Sequence, residues 1–152
     1  MEKRENTTLQ PPVFLAAAIV LMVACHFLAP GTRLLPFAWN LLGLLLLAAG
    51  IYLNLVADAA FKHAGTTVKS HQRSSALITS GVFRVSRHPM YLGMALLLLG
   101  LAMLLGTATP FVWVPVFILI VELRYIPVEE RMLADTFGPD WDRYKKRTRR
   151  WL

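Results

Sequence analysis

The apolar residues of this chain gather into four blocks, 13–29, 36–57, 90–106 and 110–121, that contain almost no charge. A soluble domain scatters its apolar positions among polar surface ones, and a helix that is apolar all round lies in a core or in lipid. A bilayer core about 30 Å thick needs roughly 20 helical residues at about 1.5 Å each. The second block has that length, and the first and third reach it with flanking residues or local thinning. The fourth reaches it only by running on to residue 126, which makes it the shortest. The pattern predicts an all-α integral membrane protein forming one domain. Its four transmembrane helices cover about 13–29, 36–57, 89–106 and 110–126, with a loop over 58–88 and a C-terminal segment over 127–152. A soluble helical bundle is the competing reading, but 152 residues leave too few to surround four such helices.

The connections refine this picture. Pro30-Gly31 stops the first helix, and so short a link to the second predicts an antiparallel hairpin. Thr107-Ala108-Thr109 is equally tight and predicts a second hairpin from the last two spans. Pro115 should bend the fourth helix or open its backbone bonding. Asn54 and Asp58 share a face of the second helix and fit either a membrane boundary or a site. Glu122 and Arg124 stand where the fourth span leaves the membrane, as interfacial residues or pocket residues. Beyond Pro127, Trp141, Tyr144, Thr148 and Trp151 recur at spacings of three or four among basic residues. That is the pattern of an amphipathic helix lying along headgroups, aromatic face down. The first dozen residues form a polar tail. The 58–88 loop holds Gly65-Thr66-Thr67 and a Ser/Gln/His-rich patch over 70–75, long enough to be expected to carry order or function.

Charge adds orientation. The net charge is +7, which in a soluble protein would raise the question of nucleic acid. Here Lys3 and Arg4 precede the first span, five basic residues lie between the second and third, and eight follow from Arg124 onward. Only Arg33 falls on the other side. The positive-inside rule therefore places both termini and the middle loop in the cytoplasm, with the lipid bilayer rather than nucleic acid as partner. Lys3 and Arg4 before an apolar run also fit a signal peptide. Met22 suits a lipoprotein-type cleavage site before Cys25 poorly, and three more spans follow, so the first helix is expected to be retained. Cys25 is the only cysteine, so no intrachain disulfide forms. His26, His63 and His71 are scattered and no metal site is expected. Neither a nucleophilic triad nor a glycine-rich phosphate loop is present.

The dense polar run is Gly81-Val82-Phe83-Arg84-Val85-Ser86-Arg87-His88-Pro89-Met90-Tyr91-Leu92-Gly93, at the start of the third span. Two arginines and a histidine at a helix N-terminus, where backbone donors are free, suit a carboxylate or phosphate. Tyr91 can present a ring or a hydroxyl, and Gly93 permits close approach by a ligand or another helix. Glu129-Glu130 offers acceptors suited to ribose hydroxyls or an amine. A small zwitterionic ligand fits this set, and so does a helix cap with interfacial anchors.

This run resembles the signature of the isoprenylcysteine carboxyl methyltransferase family and its bacterial phospholipid-methyltransferase relatives: a glycine, an aromatic and an arginine, then Arg-His-Pro-x-Tyr and a small residue. Glu129-Glu130, Leu133, Phe137-Gly138, Trp141, Tyr144 and Arg149-Arg150-Trp151 are similar to that family's terminal pattern, and the likeness extends from about Asn54 to the end. The resemblance is specific for the superfamily and does not name a substrate. It implies S-adenosyl-L-methionine as methyl donor, bound on the cytoplasmic side by Arg87, His88, Pro89, Tyr91 and Gly93, with Glu129 and Glu130 closing the pocket. Arg84 stands where the motif expects a basic residue and would orient donor or acceptor. Glu129 or Glu130 would take the proton if the acceptor is an amine or thiol, whereas a carboxylate acceptor needs no base. The resemblance thus implies a methyltransferase of a prokaryotic inner membrane acting on a lipophilic or membrane-associated acceptor. A small four-helix transporter would need polar residues at mid-membrane, where these blocks hold Leu, Ala and Val. A non-catalytic scaffold would keep the fold, yet the Arg-His-Pro-x-Tyr stretch and both glutamates are intact.

Overall fold

A computed structural model describes residues 10–65 and 75–152. The N-terminal tail up to residue 9, Thr66-Thr67, His71 and most of the Ser/Gln/His-rich patch lie outside the described residues. Those described are helical almost throughout: α1 (Pro11–Leu28), α2 (Phe37–Asn40), α3 (Leu42–His63), α4 (Pro89–Leu105), α5 (Ala108–Ile120), α6 (Ile126–Phe137) and α7 (Pro139–Arg147). A 3₁₀ turn over Gly81–Arg84 precedes α4. Large apolar side chains face outward from α1, α3 and α5, among them Phe27 (75% exposed), Leu45 (67%) and Leu119 (55%). An apolar surface of this extent suits lipid and not water. The protein is an integral membrane protein rather than a soluble bundle.

Three stretches are long and apolar enough to cross a membrane: Pro11–Leu28, Phe37–His63 and Ala108–Phe137. The last of these changes the expected picture. Instead of ending near residue 126, the fourth helix runs on through a π-helical turn at Val121–Tyr125 into α6, 30 residues in all. Its apolar part ends before Glu122. The π turn ends two residues before Pro127, which has no N–H with which to continue the ordinary ladder. With α5, the π turn and α6 counted as one continuous helix, the shortest apolar helix is α4, with 17 residues. At about 1.5 Å per residue it rises about 26 Å, less than a full hydrocarbon core. It is also the most enclosed, burying Tyr91, Gly93, Met94, Ala95, Leu98, Gly100 and Ala102.

Helix pairing keeps the second hairpin, α4 against α5, and departs from the first. The extensive contact of α3 is with α4, while α1 packs against α5 and α4. Glycine explains the first pairing. Gly43 faces Gly100 and Gly50 faces Gly93, seven residues apart on each helix and running antiparallel. A Cβ added at Gly50 would stand 2.6 Å from the Gly93 carbonyl oxygen, and one at Gly100 would stand 2.7 Å from that of Gly43. Backbone meets backbone here, which only glycine permits. The link after α1 accordingly does not fold α3 back onto α1. It lies beside the α4–α5 turn instead, with Leu34 N donating to Gly106 O (2.8 Å) and Ala108 N to Thr32 O (3.0 Å). His26 Nδ1 and Thr107 Oγ1, 2.9 Å apart, tie α1 to the same corner. At the other end of the bundle Phe14 meets Tyr125 edge-to-face.

The C-terminal aromatic stripe also lies differently from expectation. Trp141 is 2% exposed, and with Tyr144 it packs on Ala57 and Phe83 rather than on lipid. Tyr144 donates its hydroxyl to Phe83 O at 2.7 Å, and burial pushes that phenol up to about 12. The stripe is a seam joining α7, the 3₁₀ turn and the end of α3. A period of three to four residues cannot distinguish a protein-facing side from a lipid-facing one.

If the glycine contacts hold α3 to α4, Gly50→Ala should lower the thermal unfolding midpoint in detergent, a loss of about 1–3 kcal/mol for an overpacked contact. Ala48→Leu, at an exposed position of the same helix, should not. Equal effects from the two substitutions would reject the assignment.

Candidate functional site

Pro89 occupies the first turn of α4, where its missing N–H leaves no bond unmade and its fixed φ starts the helix. The residues just before it therefore come off the helix end in a defined direction. Ser86 Oγ accepts from His88 N (3.1 Å) and donates to Arg150 O (3.0 Å). Arg87 N donates to Arg149 O at 3.0 Å. The extended tail after α7 is thus laid along residues 86–88 by one main-chain bond and one from the Ser86 hydroxyl.

Arg87 consolidates that contact from its side chain. Nε and Nη2 donate to Glu130 Oε1 at 3.1 and 2.9 Å. Nη1 donates to the carbonyls of Thr148 (2.8 Å) and Lys145 (3.1 Å), and the guanidinium stands 5.8 Å from the centre of the Trp141 ring. With its side chain 8% exposed, Arg87 is a clamp between α6 and the C-terminal tail.

Glu130 is the hub. It is 8% exposed, and besides Arg87 it accepts from Arg150 Nη2 at 2.6 Å and Nε at 3.3 Å, with His88 Nε2 at 3.4 Å. Burial alone would push its carboxyl up. Hydrogen bonds from His88 and Arg150 and the charge of Arg87 outweigh that and hold it well below the usual carboxylate range. Glu129, the next residue, points about 100° away around α6. It accepts the Tyr91 hydroxyl on Oε1, and its Oε2 lies 3.4 Å from His88 Nδ1. His88 therefore sits between two consecutive glutamates and stacks against Tyr91 with ring centres 5.8 Å apart. Burial works against the imidazolium, yet the hydrogen bonds and charges of both glutamates overcome it and raise the His88 pKa. A cation donating from both ring nitrogens is the form that satisfies both neighbours. Glu129 is the more accessible acid, its side chain 23% exposed against 10% for Glu130.

Three further residues close the cluster. Glu122, in the π turn, accepts from Arg150 Nη1 on one oxygen and from Trp151 Nε1 on the other, the latter at 2.8 Å. Sequence reasoning left Glu122 open between interface and pocket and read Arg150 and Trp151 as family pattern or anchor. Their meeting depends on a helix irregularity and an extended tail that periodicity does not encode. Of the expected site residues, Arg87, His88, Tyr91, Glu129 and Glu130 come together, with Pro89 setting the helix start. Gly93 does not join them: it lies against Gly50 and Asn54 on the α3 side. Arg84 is exposed at the end of the 3₁₀ turn and bonds none of the described residues. Asn54 donates to Gly50 O at 2.8 Å, and Asp58 pairs with Lys62 at the surface. Among the described residues no His/Cys/Asp/Glu group has the makings of a metal site.

Because the folded protein raises the His88 pKa above its ordinary 6.5, the His88–glutamate ties stabilise the fold fully below that value and are lost as pH climbs through the raised one. The unfolding midpoint in detergent should fall across that window from 6.5 upward, and His88→Gln should flatten the fall. The same slope in parent and variant would contradict the assignment.

The phospholipid methyltransferase family matches the chain over residues 39–140, taking in Arg87, His88, Tyr91, Glu129 and Glu130 and stopping short of the tail. In addition, a 63-residue stretch, 41% of the chain, is 40% identical to an uncharacterized protein of Haemophilus influenzae and covers all of that protein. With 102 of its 152 residues inside the family match, this membrane protein belongs to the phospholipid methyltransferase family.

Proposed function

We propose that the chain is an S-adenosyl-L-methionine-dependent methyltransferase that modifies a lipophilic or membrane-associated acceptor at the cytoplasmic face of a prokaryotic inner membrane. The observation that carries this reading is Glu129. It is a partly exposed carboxylate, oriented by the Tyr91 hydroxyl and His88, beside a charge cluster at the polar end of an apolar bundle. The donor set suits the ligand: an accessible carboxylate for ribose hydroxyls or an ammonium group, an aromatic pair, and guanidinium groups for a carboxylate. When bound, S-adenosyl-L-methionine supplies an electrophilic methyl group on a sulfonium, chemistry that needs no metal and no covalent enzyme intermediate.

The protein's part is then positioning and exclusion of water. His88 and Tyr91 fix Glu129, and Pro89 fixes the helix start from which they project. Glu130 and Arg87 hold α6 and the tail together around them. Saturated by cations, Glu130 is a poor proton acceptor. Glu129 Oε2 is the better placed base for an amine or thiol acceptor, and a carboxylate acceptor requires none. Arg84, exposed at the rim, suits an anionic headgroup on the acceptor. Gly93 contributes through the α3–α4 packing that supports the site. A short α4 favours a site recessed toward the hydrocarbon, where a lipophilic acceptor arrives sideways from the bilayer. The distribution of basic residues supports cytoplasmic termini, and the Haemophilus relative supports a bacterial setting.

Calorimetry with S-adenosylhomocysteine, on protein in lipid nanodiscs, tests the reading. The parent should bind, Glu129→Gln should bind at least about tenfold more weakly, and Ala48→Leu should match the parent. A parent protein that binds neither S-adenosylmethionine nor S-adenosylhomocysteine would overturn it. Incubating methyl-labelled donor with membrane extracts then shows whether label enters lipid, protein or a small molecule.

A further inference from the structure

Two arginines enter the site, and they are not equivalent. Arg87 spends four of its five N–H donors on Glu130, Thr148 O and Lys145 O, and its side chain is only 8% exposed. Arg150 directs Nε and Nη2 to Glu130 and Nη1 to Glu122. A guanidinium has five N–H groups, so one N–H remains on each of Nη1 and Nη2, and this side chain is 36% exposed. Its placement is over-determined. The Arg150 carbonyl is held by Ser86 Oγ, two carboxylates on different helical segments flank the guanidinium, and the neighbouring Trp151 indole N–H occupies the second oxygen of Glu122. A charged fork fixed at its base with donors left at its end is a preorganised carboxylate receptor.

We propose that Arg150 is the anion-binding residue of the donor site, receiving the carboxylate of the donor's amino-acid moiety, and that Glu122 and Trp151 are the residues that position it. The assignment rests on the methyltransferase reading above. Charge balance is compatible with it. Glu122, Glu129 and Glu130 face Arg87, Arg150 and a His88 whose environment favours its cationic form, so an incoming carboxylate meets a balanced cluster rather than a net negative one. Glu129, on the far side of His88 from the Arg87 and Arg150 contacts, remains for the donor's ammonium or ribose hydroxyls. The two poles of a zwitterion thus have separate receptors.

The discriminating pair of probes is S-adenosylmethionine and its decarboxylated analogue, which differ by the carboxylate alone. In nanodiscs the parent should prefer S-adenosylmethionine by about tenfold or more, a charge-assisted contact's worth. Arg150→Gln should bring that preference to within about twofold, read as the ratio of the two affinities in the same variant. Trp151→Phe, which removes the indole N–H and keeps a smaller aromatic ring, should reduce the preference part of the way; it also serves if Arg150→Gln does not fold. A parent that binds both probes equally, or variants that keep the full preference, would overturn the assignment to Arg150 and leave the methyltransferase reading standing. A parent that binds neither probe would remove both.

Discussion

A buried carboxylate requires cations, and Glu130 draws them from two separate parts of the chain. Arg87 and His88 arrive from the start of α4, and Arg150 from the extended tail. Breaking such a pair by removing one partner leaves an uncompensated charge out of water, a loss of about 3–5 kcal/mol. The segments that supply the partners are therefore obliged to stay. The tail lies along residues 86–88, α7 turns to bring it there, and the Trp141–Tyr144 seam closes beneath. Glu129, Tyr91 and the exposed end of Arg150 are positioned as a result of satisfying Glu130.

The apolar part of the bundle solves a different problem. Lipid offers no hydrophobic drive between helices, so close packing has to supply the attraction. The four glycines of α3 and α4 let two backbones touch, and this contact rather than the short link after α1 decides which helices are neighbours. Placing α4 at the centre also allows it to be short, since its ends are covered by protein.

Much of this was legible in the sequence, and the reasons are local. Four blocks almost free of charge mark apolar helices whatever their arrangement, and Arg87-His88-Pro89 with Tyr91 announces a polar helix start. Glu129-Glu130 reads as a pair of acceptors, although not as two different ones. That Glu130 is a structural anchor and Glu129 the accessible acid follows from about 100° of rotation on α6 and from where the partners stand. The pairing of α3 with α4 was present as a seven-residue glycine spacing on each helix but was masked by the shortness of the first link. The π turn, the meeting of Glu122 with Arg150 and Trp151, and the inward aspect of the Trp141 stripe depend on tertiary contacts that no periodicity carries.

The central claim is that the Glu130 carboxylate holds the tail onto the start of α4. Hydrogen exchange at the Arg87 amide, which donates to Arg149 O, reads this directly in the intact protein. Comparison of the parent with Glu130→Gln should show that amide, together with those of the last turn of α7, exchanging much faster in the variant, while amides along the α3–α4 glycine contact keep their protection. Unchanged protection at Arg87 in Glu130→Gln would contradict the account.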